Sequence, residues 1–354
     1  MSRQRTAKKR RWILPVAIVA AVAVVGGIGA AVLGPRIVAE LSGPEDYEGS
    51  GSGEVVVRIP QGATGSQVAG ILFEADVVKS SGAFYELLLE RNDVALQPGT
   101  FQLAEQMSAS AALDALLDPA NKVEARVVVP EGFTLNQVWA RLAEGTGIPE
   151  GDFVKASIDP QSYGLPLEAV SLEGYLFPAT YIFDPSASAN EIIQIMVNRT
   201  FQALDQAGVA EQERYDVLTM ASLIEREAGP VSNFGKVSRV FANRLDIGML
   251  LQSDATVAYG TGSLHVITTT ADERADETNP YNTYVHPGLP IGPIGAAGDA
   301  AIQAALNPEA GNWLYFVTVD ANTGETVFSE TYAEHLVAVK RFQEWLAQNP
   351  EYTE

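Results

Sequence analysis

The sequence predicts an α+β protein carried on an N-terminal transmembrane helix, and three observations lead there. Residues 12–35 contain no charged side chain and are dominated by Val, Ala, Ile, Leu and Gly. Beyond them, short β-branched runs are interspersed with longer amphipathic stretches and follow no strict strand-helix period. The 354 residues are 47% hydrophobic, enough to build sizeable cores.

The first eleven residues hold six basic side chains (Arg3, Arg5, Lys8, Lys9, Arg10, Arg11) and no acid. The uncharged run behind them is long enough to cross roughly 30 Å of hydrocarbon as a helix. A cleavable signal peptide competes, with Gly29, Ala30 and Ala31 as small residues, but its apolar region spans only about 7–15 residues. Residues 1–11 therefore read as a cytoplasmic tail, 12–35 as the span, and the remainder as extracytoplasmic by the positive-inside rule. After Arg11 the chain keeps 17 Lys and Arg against 44 acids, a formal charge of −27, which argues against nucleic acid as partner. With no cysteine, disulfides, thiolate nucleophiles and Cys-ligated metals are excluded.

Residues 36–54 read as a flexible linker, because 42–54 mix Gly, Ser and acids without apolar periodicity. No Gly-Lys-Ser/Thr follows, so the Gly-Ser run is not a phosphate loop. A small α+β module is expected over 55–120. It would comprise a strand at VVVRIP, a turn and amphipathic helix through QGATGSQVAGILFEADVVKSS, a helix over 83–90, a β segment at 99–103, and a helix in SASAALDALLD ending before Pro119.

The pattern restarts in ARVVVPEGFTLNQVWARLAE, opening a second, larger α+β domain over 121–354. Its expected helices are 190–207, 211–228, 236–245, Asp299–Leu306 and Tyr332–Gln348, with β pieces at 313–319 and 326–328. VxIPxGxxxxxVAxxL at 57–72 and VxVPEGxTLxQVxxRL at 127–142 both resemble LysM-like modules, which bind N-acetylglucosamine-containing glycans. A generic strand-turn-helix packing unit fits the same letters.

His265, His286 and His335 show no ligand spacing, so no metal is expected, and no GxSxG elbow supports a serine hydrolase. The informative segment is LTMASLIEREAG (218–229), a helix closed by Gly229 and Pro230. Val217, Met220, Ala221, Ile224 and Ala228 form one apolar stripe, with Glu225 and Glu227 on its two flanks. Helical geometry does not choose between them. Glu225 has the smaller neighbours, Ala221, Ser222 and Ala228, which leave room for a substrate. A glutamate on a helix flank is, taken alone, usually only a solvated charge.

Residues 221–227 (ASLIERE) resemble the signature helix of the endolytic murein transglycosylases, the YceG-like family. In the family's order follow or precede LEGYLFPATY (172–181), VFANRLDIGMLLQSDATVAYG (240–260), YNTYVHPGLPIGPIG (281–295) and elements around Tyr315 and His335. Each has a plain structural reading: an aromatic core strand, a helix N-cap at QSDAT, a rigid turn. Two departures stand out: Ala179 occupies the place of a family Asp, and Ile291 that of a second proline.

The resemblance implies cleavage of the β-1,4 bond between N-acetylmuramic acid and N-acetylglucosamine in peptidoglycan glycan strands, leaving a 1,6-anhydro end, without a cofactor. Glu225 would protonate the leaving oxygen and then accept the proton of the attacking C6 hydroxyl, an intramolecular step of high effective molarity. That requires a raised Glu225 pKa. The implied substrate contacts are Glu173, Tyr175, Gln252, Ser253, Asp254, Tyr281 and Asn282, and the implied protein partners are peptidoglycan synthases and the division or elongation machinery. Two alternatives remain open: a non-catalytic wall-binding scaffold, and a muramidase needing a second carboxylate such as Glu173 or Asp254.

Overall fold

The structure is a computed structural model that describes residues 44–91, 94–263 and 269–349. The expected tail and membrane span, and His265, lie outside the described residues. Among the described residues no helix is long and apolar enough to cross a membrane. The mixed α+β class holds: the chain forms two compact units, one reaching Glu124 and including Asp184–Ser186, the other Ala125–Phe183 with Ala187–Glu354.

The first unit runs β1 (Ser52–Ile59), α1 (Gly65–Glu74), α2 (Ser81–Glu90), β2 (Gly99–Glu105), α3 (Ala109–Leu117) and β3 (Lys122–Val123). The strands form an antiparallel sheet in that order, with Val57 opposite Phe101. Alternation makes the strand: Val57 and Ile59 point into the core while Val56 and Arg58 stay exposed. Leu72, Phe84, Phe101 and Leu113 close that core.

Residues 44–54, expected to belong to a flexible spacer, are instead tied to this unit. The Ala109 N–H donates to the Asp46 carboxylate at 3.0 Å, Ser108 N–H to the Gly49 carbonyl at 2.9 Å, and Tyr47 Oη to Asp76 at 2.9 Å. The acid that reads as a solvating charge is the partner of a free N–H at the start of α3.

The second unit contains β4 (Ala125–Val128), α4 (Leu135–Thr146), α5 (Glu150–Ala156), β5 (Thr180–Phe183), α6 (Ala189–Gln206), α7 (Arg214–Glu227), α8 (Phe234–Asp246), α9 (Asp254–Thr261), α10 (Ala271–Ala275), α11 (Asp299–Leu306), β6 (Tyr315–Asp320), β7 (Glu325–Ser329) and α12 (Tyr332–Gln348). β4 pairs antiparallel with β5, and β6 with β7. Of the five expected helices, Asp299–Leu306 and Tyr332–Gln348 have the expected bounds, 190–207 and 236–245 differ only at their ends, and 211–228 divides into a 3-10 turn at Glu211–Glu213 followed by α7.

The two echoed units share a local device. After β1 and again after β4 a Pro-x-Gly turn places Gly62 at φ +75° and Gly132 at φ +74°, a conformation L side chains resist. A capping box then starts each helix: Gln67 Oε1 accepts from Thr64 N–H at 2.8 Å in α1, and Gln137 Oε1 from Thr134 N–H at 2.9 Å in α4.

α7 packs against α8, α9 and α11. Leu218, Leu223 and Ile224 are fully buried on it, each stabilising the unit by about 1.5–3 kcal/mol. LEGYLFP is not a strand; it is an irregular segment whose Leu172, Tyr175, Leu176 and Phe177 are buried, and β5 begins only at Thr180.

Candidate active site

The last turn of α7 carries Glu225 and Glu227, and neighbouring segments fix what lies opposite them. Ser222 Oγ donates to the Thr219 carbonyl at 2.8 Å and accepts from Ile294 N–H at 3.0 Å. Gly132 N–H donates to the Ala296 carbonyl at 2.7 Å, and Ala296 N–H to the Phe133 carbonyl at 2.8 Å. Gly174, at φ +78°, lets Pro293 approach; a Cβ there would fall 2.4 Å from the proline. The 293–298 stretch is thereby held between α7 and the turn after β4. It delivers Gly298, the N-cap of α11, to Glu225.

Glu225 Oε2 accepts the Gly298 N–H at 3.2 Å. The side chain is half-buried. Burial pushes its carboxyl above the usual range; the Gly298 N–H opposes that, and the Glu131 carboxylate adds to it.

Glu227 is placed differently. Its Oε1 accepts from the Ser253 hydroxyl and from Ala255 N–H at 3.3 Å, at the start of α9, which Ser253 caps. Burial raises its pKa while the Ser253 hydrogen bond opposes the rise.

Glu173 faces a third helix start. Leu135 N–H, the first of α4, donates to its two oxygens at 3.1 and 3.0 Å, and Tyr259 Oη donates at 2.8 Å. Burial pushes this carboxyl up to about 7, against the pull of those donors and of Arg226. Arg226 donates to the Gly132 carbonyl at 3.3 Å. Three glutamates thus sit at three helix N-termini, where partial positive charge favours an anion.

Of the residues expected to touch substrate, four prove to be buried. Glu173 is 4% exposed and engaged as described, and Ser253, 3% exposed, caps α9. Tyr175 is wholly inside, edge-on to Phe201 at 6.2 Å, its hydroxyl without a hydrogen-bond partner. Asn282 is also wholly inside, its amide donating to the Glu273, Arg274 and Asp276 carbonyls at 3.1, 3.1 and 2.9 Å. These side chains satisfy or fill the interior. Asp254 is engaged too, accepting from Arg274 and Tyr284 at 3.0 Å each and from Thr269.

Two remain open. Gln252 is exposed and held at φ +50°, an uncommon conformation for a side-chain-bearing residue, by its N–H on the Thr283 carbonyl at 3.1 Å. Tyr281 is half-buried, edge-on to Tyr259 at 4.7 Å. Sequence reasoning missed Glu131, Gly298 and Tyr259. The acid in Pro-Glu-Gly was a visible signal; nothing local marked the other two. Ile291 keeps its turn through its carbonyl, which accepts from Tyr215 Oη, and the Ala179 carbonyl accepts from Val129 N–H at 2.9 Å.

A half-buried carboxyl group of raised pKa on a rigid helix is equipment suited to an acid–base enzyme. The chain belongs to the YceG-like family, whose model matches residues 57–341. It is 33% identical over 319 residues to an endolytic murein transglycosylase of Bacillus subtilis (strain 168), covering 84% of this chain and 87% of that one. To an endolytic murein transglycosylase of Streptococcus pneumoniae serotype 2 (strain D39 / NCTC 7466) it is 28% identical over 319 residues, covering 79% of this chain and 57% of the relative. The crystal structure of a putative YceG-like protein from Listeria monocytogenes is similar at TM-score 0.52 and 32% identity, over 80% of this chain and 98% of that one.

Proposed function

We propose that this chain is an endolytic lytic transglycosylase of peptidoglycan, with Glu225 as its acid and base. The observation that carries the reading is the half-buried Glu225 carboxyl, raised in pKa and held by a single backbone N–H. The B. subtilis relative's activity supports the substrate.

Glu225 begins protonated and gives its proton to the glycosidic oxygen between N-acetylmuramic acid and N-acetylglucosamine. The C1–O bond breaks, with the N-acetyl group supporting the positive charge at C1. The muramic acid C6 hydroxyl then attacks C1 and returns its proton to Glu225, closing a 1,6-anhydro ring. One carboxyl group serves both steps, whereas hydrolysis needs a second to activate water or act as nucleophile. Glu173 and Asp254, the second carboxylates considered for a muramidase, are occupied by Leu135 and Tyr259 and by Arg274 and Tyr284, which favours the transglycosylase. Gln252 and Tyr281 are the substrate contacts we retain.

Residues 12–35 act as a single membrane span with residues 1–11 cytoplasmic, and the catalytic domain, about residues 121–354, works outside the membrane on nascent strands. Residues 55–120 serve as a LysM-like glycan-binding module. Peptidoglycan synthases and the division or elongation machinery are the expected protein partners.

The test is digestion of uncrosslinked peptidoglycan by the full chain and its Glu225→Gln variant, with chain ends read by mass spectrometry. Anhydro ends that disappear in the variant are expected. Reducing ends would make the protein a muramidase, and binding without cleavage by wild type would make it a scaffold.

A further inference from the structure

The residue nearest in consequence to Glu225 is one that neither the acid–base scheme nor the expected substrate contacts use. Glu131 lies in the turn between β4 and α4, exposed, ahead of Gly132 at φ +74°. Its side chain covers Gly298: a Cβ built on that glycine would fall 2.0 Å from Glu131 Oε1 and 2.7 Å from its carboxyl carbon. Gly298 is also the residue whose N–H donates to Glu225. Two carboxylates from separate segments therefore flank one helix start, which offers its N-cap N–H to Glu225.

Resting on the reading of Glu225 as the acid, we propose that Glu131 is a positioning residue for it: laid over Gly298, its carboxylate keeps negative charge beside Glu225 and so keeps the catalytic proton on Glu225. Like charges at short range oppose joint ionisation, and the half-buried member of the pair is the one that stays neutral. Other charges near this point are engaged elsewhere. Asp299 in the first turn of α11 pairs with Arg199 at 3.4 Å, and Arg226 donates to Gly132 and acts on Glu173 and Glu227. The Glu131 charge also adds to the rise of the Glu225 pKa that burial begins.

The same placement explains why residue 298 is glycine. Its φ of −84° suits any residue, so the constraint is the space Glu131 fills and not the backbone.

The experiment is the pH profile of kcat/KM for the full chain acting on uncrosslinked glycan strands, with Glu131→Gln, Glu131→Asp and Gly298→Ala. Removing the neighbouring charge lowers the pH at which Glu225 loses its proton, so the alkaline limb of Glu131→Gln moves to lower pH. Its rate falls roughly three- to tenfold on the alkaline side and recovers towards wild type on the acid side. Glu131→Asp keeps most of the wild-type profile. Gly298→Ala, which displaces the Glu131 carboxylate without deleting it, shifts the limb in the same direction as Glu131→Gln. A Glu131→Gln profile superimposed on wild type, or lowered equally at every pH with an unchanged melting temperature, overturns the proposal. The reading of Glu225 itself fails separately, if Glu225→Gln still cleaves.

Discussion

Glu227, two residues beyond Glu225 on α7, accepts hydrogen bonds from the Ser253 hydroxyl and the Ala255 N–H, and this fastens the end of α7 to the start of α9. The two flanks of one helix thereby take different tasks. Glu225 meets a single N–H and stays half-buried; Glu227 serves as a staple between helices.

Glu227→Ala is therefore expected to cost stability, about 2–3 kcal/mol, because it strands the Ser253 hydroxyl and the Ala255 N–H. Glu225→Gln leaves the melting temperature within a degree or so of wild type by the same reasoning. Thermal unfolding of both variants checks this. Equal melting temperatures for Glu227→Ala and wild type would contradict it.

This division was only half legible in the sequence. Apolar periodicity and the Gly229-Pro230 stop located the helix, and Asp299–Leu306 and Tyr332–Gln348 came out with the expected bounds. The helical wheel could not choose between the glutamates, because what separates them is the partner each meets seventy-three or about twenty-eight residues away. Size of neighbours pointed to Glu225 for a reason that proved incomplete. Asn282 shows the reverse failure. A polar amide between tyrosines reads as a sugar contact, yet it satisfies three backbone carbonyls inside the fold, a demand invisible without the tertiary path of 273–276. Asp46 misled similarly: in sequence it belongs to a Gly-Ser-acid spacer, and in the structure its carboxylate accepts the Ala109 N–H at the start of α3, which Ser108 caps.

Glu173 predicts a pH dependence of stability. Burial raises its carboxyl from 4.5 to about 7 in the folded chain, so the folded state holds its proton more tightly than the unfolded state. The stabilisation is complete below about 4.5 and is lost as pH rises through about 7, a loss of about 3 kcal/mol at most for the shift cited. Glu173→Gln, which can still accept from Leu135 and Tyr259, flattens that slope. Melting temperature measured against pH for both chains decides it, and parallel slopes would count against the assignment.

Gly174→Ala tests the close approach that delivers Gly298 to Glu225. At φ +78°, with a Cβ 2.4 Å from Pro293, alanine is expected to destabilise by about 2 kcal/mol or more. Cleavage should fall even where the variant remains folded, because the 293–298 stretch moves away from α7. Denaturant unfolding and rates measured on the folded fraction separate the two effects.

Gln252 offers a dissociation of stability from activity. Its φ of +50° costs about 1 kcal/mol that glycine does not incur. Gln252→Gly should melt slightly higher than wild type and bind glycan strands more weakly, with the loss seen mainly in KM. A variant as active as wild type would remove Gln252 from the substrate contacts.

The most direct test of Glu225 as the sole acid and base is cleavage in water enriched in oxygen-18. When the C6 hydroxyl attacks C1, no solvent oxygen enters the product, so the new muramic acid ends should be anhydro and unlabelled, and absent in Glu225→Gln. One oxygen-18 at each new end would show that water is the nucleophile and would contradict the single-carboxyl mechanism.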